Sequence, residues 1–156
     1  MLLRPSTSSD AADIAKIYLA SRETFLPFAP LAHSKEAVLA WVQSELVTTR
    51  NVTLAVADGE TLGFVATVVS DAVLWVDQLY VRPDSVGQGF GAALLRQALA
   101  GARGRVRLYT FQANTGARRF YERFGFVPIE LTDGEANEEK CPDVLYELWM
   151  DDRCVG

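Results

Sequence analysis

A strand, a short polar turn and three alternating glycines that open a helix stand together in the middle of the chain, at residues 79–95. The apolar segment ends at Pro83, and Gly87, Gly89 and Gly91 precede an amphipathic run. Glycine permits positive φ and lets a ligand approach the backbone closely. The helix start that follows presents unpaired N–H groups and the positive end of the macrodipole. This pattern favours a seat for a phosphate or pyrophosphate, so we expect a phosphorylated cofactor here.

Length and composition predict a single domain over residues 1–156. No apolar run approaches the ~20 residues of a membrane helix, and the N-terminus lacks a signal pattern, so we expect a cytoplasmic protein with no membrane partner. A net charge of −5 argues against a nucleic-acid partner. Cys141 and Cys154 are expected to be free thiols, and a single histidine argues against a metal site.

Hydrophobic periodicity and turn residues predict the element order β-α-α-β-β-β-α-β-α-β-β. Ser9 or Asp10 is expected to cap the first helix and Ser34 the second. Hairpins around a βαβ crossover predict a mixed sheet with helices on both faces. The predicted strands cover residues 2–5, 52–57, 61–69, 73–81, 106–111, a segment from 126, and 144–150, with helices after the glycine loop and at 115–124.

The glycine loop also formally satisfies the dinucleotide fingerprint G-x-G-x-x-G/A, but its context argues against that interpretation. Residues 83–86 separate it from the strand, whereas the fingerprint follows a strand directly. No acidic residue occurs at positions 109–112, about 20 residues on, where one would hold a ribose. The G-K-[ST] ending of a P-loop is also absent. A nicotinamide or ATP site is therefore not supported.

Two motifs, taken together, resemble those of the GNAT superfamily of acetyl-CoA-dependent N-acetyltransferases. The family pattern [Q/R]-x-x-G-x-[G/A] corresponds to residues 86–91, and the pattern N-x-x-A-x-x-F-Y-x-x-x-G-F is matched by residues 114–126. The two stand in the family's order and separation, and the resemblance covers the whole chain. It implies an α+β (mixed α/β) fold with a central, mixed, mostly antiparallel sheet of about seven strands and helices on both faces.

The resemblance implies acetyl-CoA as the cofactor, held mainly by backbone groups. In the family, the glycine loop binds the pyrophosphate, and a bulge in the preceding strand frees backbone groups for the pantetheine arm. Asn114 would hydrogen-bond that arm, and it is also a candidate N-cap. The implied cofactor-binding residues are Leu79, Tyr80, Val81, Val86, Gly87, Gln88, Gly89, Phe90, Gly91, Ala92, Asn114, Ala117 and Tyr121.

Two of these residues are also implied in catalysis. The backbone N–H of Leu79 would donate to the oxyanion that forms when an amine attacks the thioester. The hydroxyl of Tyr121 would protonate the departing thiolate. Because Ala117, Phe120, Tyr121 and Phe124 have the spacing of a helical core stripe, a packing role for Tyr121 stays open.

The chain departs from the family pattern at two positions. Val86 stands where Gln or Arg is usual, and Trp75 stands where some members carry a glutamate. A base must take the proton of the amine, and Asp77 is the first candidate. On a regularly alternating strand Asp77 would share a face with Trp75 and Leu79, although the expected bulge weakens that inference. Glu130, Asp143 and ordered water remain as alternative bases.

The residues that would bind the acceptor amine are indicated less strongly by the sequence than those that would bind acetyl-CoA. Phe28 and His33 lie in the connection between the first two helices, which borders the acceptor pocket in the family, although a surface role for His33 stays open. Glu138 and Glu139 belong to an acidic loop, residues 132–143, with five acids and one lysine. Such a run is usually a solvated loop, but near an acceptor site it would attract a cationic amine. We therefore expect a small-molecule amine or amino compound as the acceptor.

The function expected from the resemblance is direct transfer of an acetyl group from acetyl-CoA to an amine, with no metal. A non-catalytic acyl-CoA-binding regulatory module is the alternative, which Trp75 favours slightly and Tyr121 disfavours. Transfer of a longer acyl group is a further alternative. Dimers are common in the family, and the apolar strand at 144–150 would offer an edge for a homodimer.

Overall fold

The computed structural model describes residues 1–151, whose strands form a single seven-stranded sheet. Its order is β1-β2-β3-β4-β5-β7-β6, and every neighbouring pair is antiparallel except β4 and β5. The expected α+β class, with a mixed and mostly antiparallel sheet, is confirmed. The strands are β1 Leu2–Pro5, β2 Asn51–Ala57, β3 Glu60–Ser70, β4 Val73–Val81, β5 Gly104–Phe111, β6 Val127–Leu131 and β7 Asp143–Met150.

The helices follow the predicted order. Ser34 caps the second helix as expected, because its Oγ accepts a hydrogen bond from the Ala37 N–H at 3.1 Å. Asp10 holds the N-cap position of the first helix, but its carboxylate bonds back to the Thr7 N–H at 2.8 Å. The helices are α1 Ala11–Phe25, α2 Lys35–Trp41, α3 Val47–Thr49, α4 Phe90–Leu99 and α5 Thr115–Arg123, with a π-helical turn Val42–Leu46 joining α2 to α3.

Helices cover both faces of the sheet, and each face has its own apolar core. Alternate residues of β3 divide between the two, as the period of a strand requires. Phe64 and Ala66 pack in the core that includes α1 and α2, whereas Val65 packs in the core that includes α4 and Tyr121 of α5. The prediction of helices on both faces is confirmed.

A β-bulge interrupts β4 at Asp77. Thr67 of β3 is opposite Val76 and Ala66 is opposite Gln78, so Asp77 is the extra residue. A bulge bends a strand and shifts the alternation of its side chains by one position. As a result Leu79 packs in the same core as Val76, and the face that regular alternation would assign to Leu79 is wrong.

Strand β7 lies inside the sheet, between β5 and β6. Its residues pair with β5 from Asp143 to Met150, and those from Val144 to Glu147 pair also with β6. The idea that this strand offers a free edge for a homodimer is therefore wrong from Val144 to Glu147, because β6 occupies that edge. A homodimer by another route stays a prediction.

Three expectations concern features outside the sheet. Cys141 is a free cysteine, whereas Cys154 lies outside the described residues. Within residues 1–151, no helix is long and apolar enough to cross a membrane. In the same range, no three His, Cys, Asp or Glu side chains are grouped so that they could hold a metal ion.

Candidate functional site

Strands β4 and β5 diverge and leave a crevice between them. Their parallel pairing is confined to Leu74 with Val106 and Trp75 with Arg107, and the bulge at Asp77 follows directly. Beyond Trp75, the side of β4 that faces β5 has no strand partner within the described chain, so its backbone groups are available to a ligand. A cavity of about 120 Å³ lies there, lined by Leu26, residues 76–80, residues 109–111, Asn114, Ala117 and Tyr121.

The glycine loop, which connects β4 to α4, is open to a ligand at two positions. Gly87 and Gly89 have φ of +76° and +90°, and a Cβ added at either would meet no atom within 4 Å. Gly89 is the N-cap of α4, so the unpaired N–H groups of the first helical turn follow it. A Cβ at Gly91, in contrast, would touch Val81 and Phe120 at 3.6 and 3.7 Å. The loop therefore fits a pyrophosphate such as that of coenzyme A.

Tyr121 reaches the crevice from α5. Its ring is buried and packs edge-on against Phe120 and Phe126. Within residues 1–151 its hydroxyl makes no hydrogen bond, and burial raises the pKa of this phenol. The side chain thus packs in the core, as the helical stripe predicts, and keeps its proton beside the cavity that it lines.

Asn114 caps α5 and lines the same crevice. Its side-chain oxygen accepts a hydrogen bond from the Ala117 N–H at 3.2 Å, which confirms the capping prediction. The amide nitrogen makes no hydrogen bond within the described chain and is free for a ligand. Leu79 and Tyr80 also line the crevice, whereas Val81 does not.

A second cavity, of about 860 Å³, adjoins the crevice on the α1 and α2 side of the sheet. Helices α1 and α2, the middle of β4, the end of β5 and the acidic loop enclose it. The two cavities share the lining residues Asp77, Gln78, Tyr80, Tyr109, Thr110 and Phe111. Because these residues border the divergence of β4 and β5, a ligand in the crevice can meet a ligand in the larger cavity.

Three of the four predicted acceptor residues, His33, Glu138 and Glu139, line this larger cavity. The Nε2 of His33 lies 3.2 Å from Oε2 of Glu138, so the loop before α2 contacts the acidic loop. Glu139 lies 3.5 Å from Nη2 of Arg22. Phe28 is half-exposed and packs edge-on against Phe111 at 6.1 Å between ring centroids, but it does not itself line the cavity.

The candidate bases differ in their surroundings. Asp77 lines both cavities, and its Oδ2 lies 3.2 Å from Nε of Arg50. Asp143 lines the larger cavity and accepts hydrogen bonds from Thr132 and Asn137. Glu130 lies on the exposed edge strand β6 and lines neither cavity.

Sequence reasoning missed Arg22 as a residue of the larger cavity. This arginine lies on α1 and is only 6% exposed. A signal was present, because Arg22 follows Tyr18 by four residues on the apolar face of a predicted helix. A charged residue on a buried face indicates either a pairing role or a binding role.

Trp75 does not take part in the larger cavity. Its ring stacks on that of Tyr109, with the planes inclined by 9° and the centroids 5.8 Å apart. Position 75, where the family resemblance implies a glutamate in some members, is thus occupied here by a tryptophan that stacks on Tyr109.

Comparisons with known proteins agree on one family. The sequence profile of the Acetyltransferase (GNAT) family matches residues 14–126. The uncharacterised N-acetyltransferase MJ1207 of Methanocaldococcus jannaschii is 35% identical over 88 residues. That alignment includes 49% of this chain and 39% of MJ1207, so this chain spans about two fifths of the length of the curated relative.

Solved structures of similar fold cover nearly the whole chain. A GCN5-related N-acetyltransferase from Rhodopseudomonas palustris superposes with a TM-score of 0.74 at 23% identity, covering 96% of this chain and 95% of its own. YncA of Salmonella typhimurium, solved with its cofactor acetyl-CoA, has a TM-score of 0.74 at 18% identity, with coverages of 97% and 95%. At 23% and 18% identity, these superpositions show that the fold is shared and nothing more.

Proposed function

The chain belongs to the GNAT family of acetyltransferases, an acetyl-CoA-using family, and we propose that it transfers an acetyl group directly to the amine of a small molecule. The observation that carries the proposal is the junction of the two cavities, which share Asp77, Gln78, Tyr80 and residues 109–111. A crevice bordered by free backbone groups opens there into a cavity with charged walls. Donor and acceptor can therefore be bound at the same time, which direct transfer requires.

Backbone and amide groups of the chain suit the donor. Gly87 and Gly89 leave open space above the loop, and the start of α4 favours an anion, so this segment would hold the pyrophosphate. The unpaired side of β4 at residues 78–80 and the free amide nitrogen of Asn114 would hold the pantetheine arm. When bound, acetyl-CoA supplies the thioester whose acetyl group is transferred.

Two groups would stabilise the charges that develop during transfer. The backbone N–H of Leu79 lies on the strand that borders the crevice, where it would donate to the carbonyl oxygen as negative charge develops. The Tyr121 hydroxyl would give its proton to the leaving sulfur. Burial raises the pKa of this phenol, so Tyr121 is protonated at neutral pH and can act as a donor.

Asp77 is the proposed base. It lines both cavities and is the extra residue of the bulge, so it would accept the proton of the amine directly or through a water molecule. The contact of its Oδ2 with Nε of Arg50, at 3.2 Å, holds the side chain beside both cavities.

The acceptor is proposed to be a small molecule with a primary amine. The larger cavity is lined by five acidic residues, Asp77, Asp133, Glu138, Glu139 and Asp143, against one arginine and one histidine. This excess of negative charge would raise the local concentration of a cationic amine.

A thiol-release assay with acetyl-CoA tests the proposal. A panel of primary amines is incubated with the protein, and free coenzyme A is measured over time. Release that depends on one class of amine, with the acetylated amine identified by mass spectrometry, is the expected result. Tight binding of acetyl-CoA in calorimetry without release from any amine would instead support the non-catalytic acyl-CoA-binding module.

A further inference from the structure

The larger cavity contains a guanidinium whose hydrogen-bonding capacity is not fully used. Arg22 donates from Nη1 to the Tyr80 hydroxyl at 3.3 Å and from Nη2 to the Ala29 carbonyl at 3.2 Å. Its Nε is buried and has no hydrogen-bond acceptor. An unsatisfied buried donor costs about 1–3 kcal/mol. Arg22 thus is a buried cation that lines the cavity and keeps one donor, Nε, without a partner within the described residues.

The counter-ion of Arg22 in the free protein is weakly held. Oε1 of Glu139 approaches Nη2 at 3.5 Å without forming a hydrogen bond of good geometry. Glu139 belongs to the acidic loop, whose residues 132–142 lie outside regular strands and helices. A ligand carboxylate offers two oxygens to the planar fork of an arginine, which is a stronger arrangement than this single contact.

The surroundings of Arg22 strengthen its attraction for an anion. The guanidinium carbon lies 5.4 Å from the ring centroid of Tyr18 and 6.0 Å from that of Phe111. These rings keep water from the charge, and an ion pair is stronger where water is excluded. The hydrogen bond to Tyr80 also ties the guanidinium to β4, the strand that borders the crevice.

We propose that the acceptor carries a carboxylate as well as its amine, and that Arg22 binds this carboxylate in place of Glu139. The inference rests on the proposed function for the role of the amine. Only the side chain of Tyr80 separates Arg22 from β4, the strand that borders the crevice. The carboxylate and the amine are therefore close enough to belong to one small molecule of the amino-acid type. The acidic residues that line the cavity would attract the ammonium end, and the apolar lining residues Leu31, Val38 and Trp41 would receive a side chain.

Calorimetric titration of amino acids and amines into the protein alone tests the carboxylate site without relying on acetyl-CoA. Phenylalanine, tryptophan and lysine are each compared with their carboxylate-free counterparts phenethylamine, tryptamine and cadaverine. At least one amino acid is expected to bind about 10- to 100-fold more tightly than its amine. The amine lacks the carboxylate and so loses the hydrogen bonds to the charged guanidinium, a loss that changes affinity by about this factor. The methyl ester of that amino acid, which keeps the amine and blocks the carboxylate, should bind as weakly as the amine.

Variants then assign the preference to Arg22. Arg22→Met, which is similar in length but uncharged, should abolish it, and Arg22→Lys, which keeps the charge without the fork, should reduce it. Glu139→Gln removes the competing carboxylate and should strengthen amino-acid binding several-fold. Thermal unfolding of each variant checks the fold, and Glu139→Gln and the ester comparison remain decisive where Arg22→Met does not fold.

The outcomes separate this inference from the proposed function. If none of the three amino acids binds more tightly than its amine, or if Arg22→Met leaves the preference intact, the carboxylate site does not exist. If amino acids bind through Arg22 but cause no thiol release from acetyl-CoA, the carboxylate site stands and acetyl transfer to these acceptors is wrong.

Discussion

The crevice and the larger cavity are built in different ways. The crevice is bordered by the unpaired side of β4, its lining residues other than Leu26 fall between Val76 and Tyr121, and the buried phenol of Tyr121 is neutral. The larger cavity is lined by residues from five separated segments and carries six formal charges besides its histidine. A backbone site can hold one cofactor while residues change, whereas a side-chain site defines its ligand by charge. In the proposed function, the crevice therefore determines the chemistry and the larger cavity determines the acceptor.

The strongest test of this division is Tyr121→Phe. Loss of the proton donor should lower kcat by about 10²-fold or more, the range for general acid catalysis, with the Kd for acetyl-CoA little changed. Tyr146→Phe is the matched control: Tyr146 is also buried and donates to Glu122 at 2.8 Å, but it lines neither cavity. Steady-state kinetics and calorimetry give the two constants. Equal losses of kcat in the two variants would assign Tyr121 to packing alone.

Asp77→Asn tests the place where the two regions meet. Removal of the base should lower kcat/KM by about 10²-fold near neutral pH. The deficit should shrink as the pH rises toward the pKa of the amine, because free amine then becomes abundant without a base. Arg50→Gln, which removes the partner of Asp77 but not the carboxylate, is the control. A deficit that does not vary with pH contradicts the role of Asp77 as base.

Gly89→Ala tests the backbone character of the donor side. At φ +90° an alanine is strained by about 1–2 kcal/mol, although space for its methyl is available. We expect acetyl-CoA to bind about tenfold more weakly, with acceptor KM unaffected. Gly91→Ala is the control, because Gly91 has no positive φ and its Cβ would make ordinary contacts. Equal affinity for acetyl-CoA in both variants would contradict a role for the loop backbone.

Neutralising the acidic loop should have the smallest effect. For a cationic amine without a carboxylate, Glu138→Gln/Glu139→Gln should lower kcat/KM by about two- to threefold at low salt and flatten its salt dependence. Glu45→Gln/Asp71→Asn changes the net charge equally at exposed positions outside both cavities. An unchanged salt dependence in the first variant would rule out electrostatic steering by this loop.

The bounds of the elements around the crevice could be predicted from the sequence, whereas the contacts within the larger cavity could not, because the former depend on local residues and the latter on distant ones. Strand β4 lies where predicted, at 73–81, and α5 ends within one residue of the prediction, because proline, glycine and capping residues mark those boundaries. The position of the bulge depends on pairing with β3, so strand alternation alone gave the wrong face for Leu79. Which residues would meet Arg22 could not be predicted, since Glu139 is 117 residues away in the chain.

The arrangement of α2 shows the same limit. Its cap at Ser34 was predictable from a short-range hydrogen bond, but the π-helical turn Val42–Leu46 was not. Such a turn adds a residue to the helix where buried positions such as Val42 and Leu46 must fit the core. Its cause is tertiary packing, which no local pattern encodes.

Two-substrate initial-rate kinetics tests the central claim that the crevice and the larger cavity are occupied together. The rate is measured at several fixed concentrations of acetyl-CoA while an accepted amine is varied, and reciprocal plots are drawn. Simultaneous occupancy and direct transfer predict lines that intersect. Parallel lines would mean that the first product leaves before the amine binds, and this would contradict transfer at the junction of the two cavities.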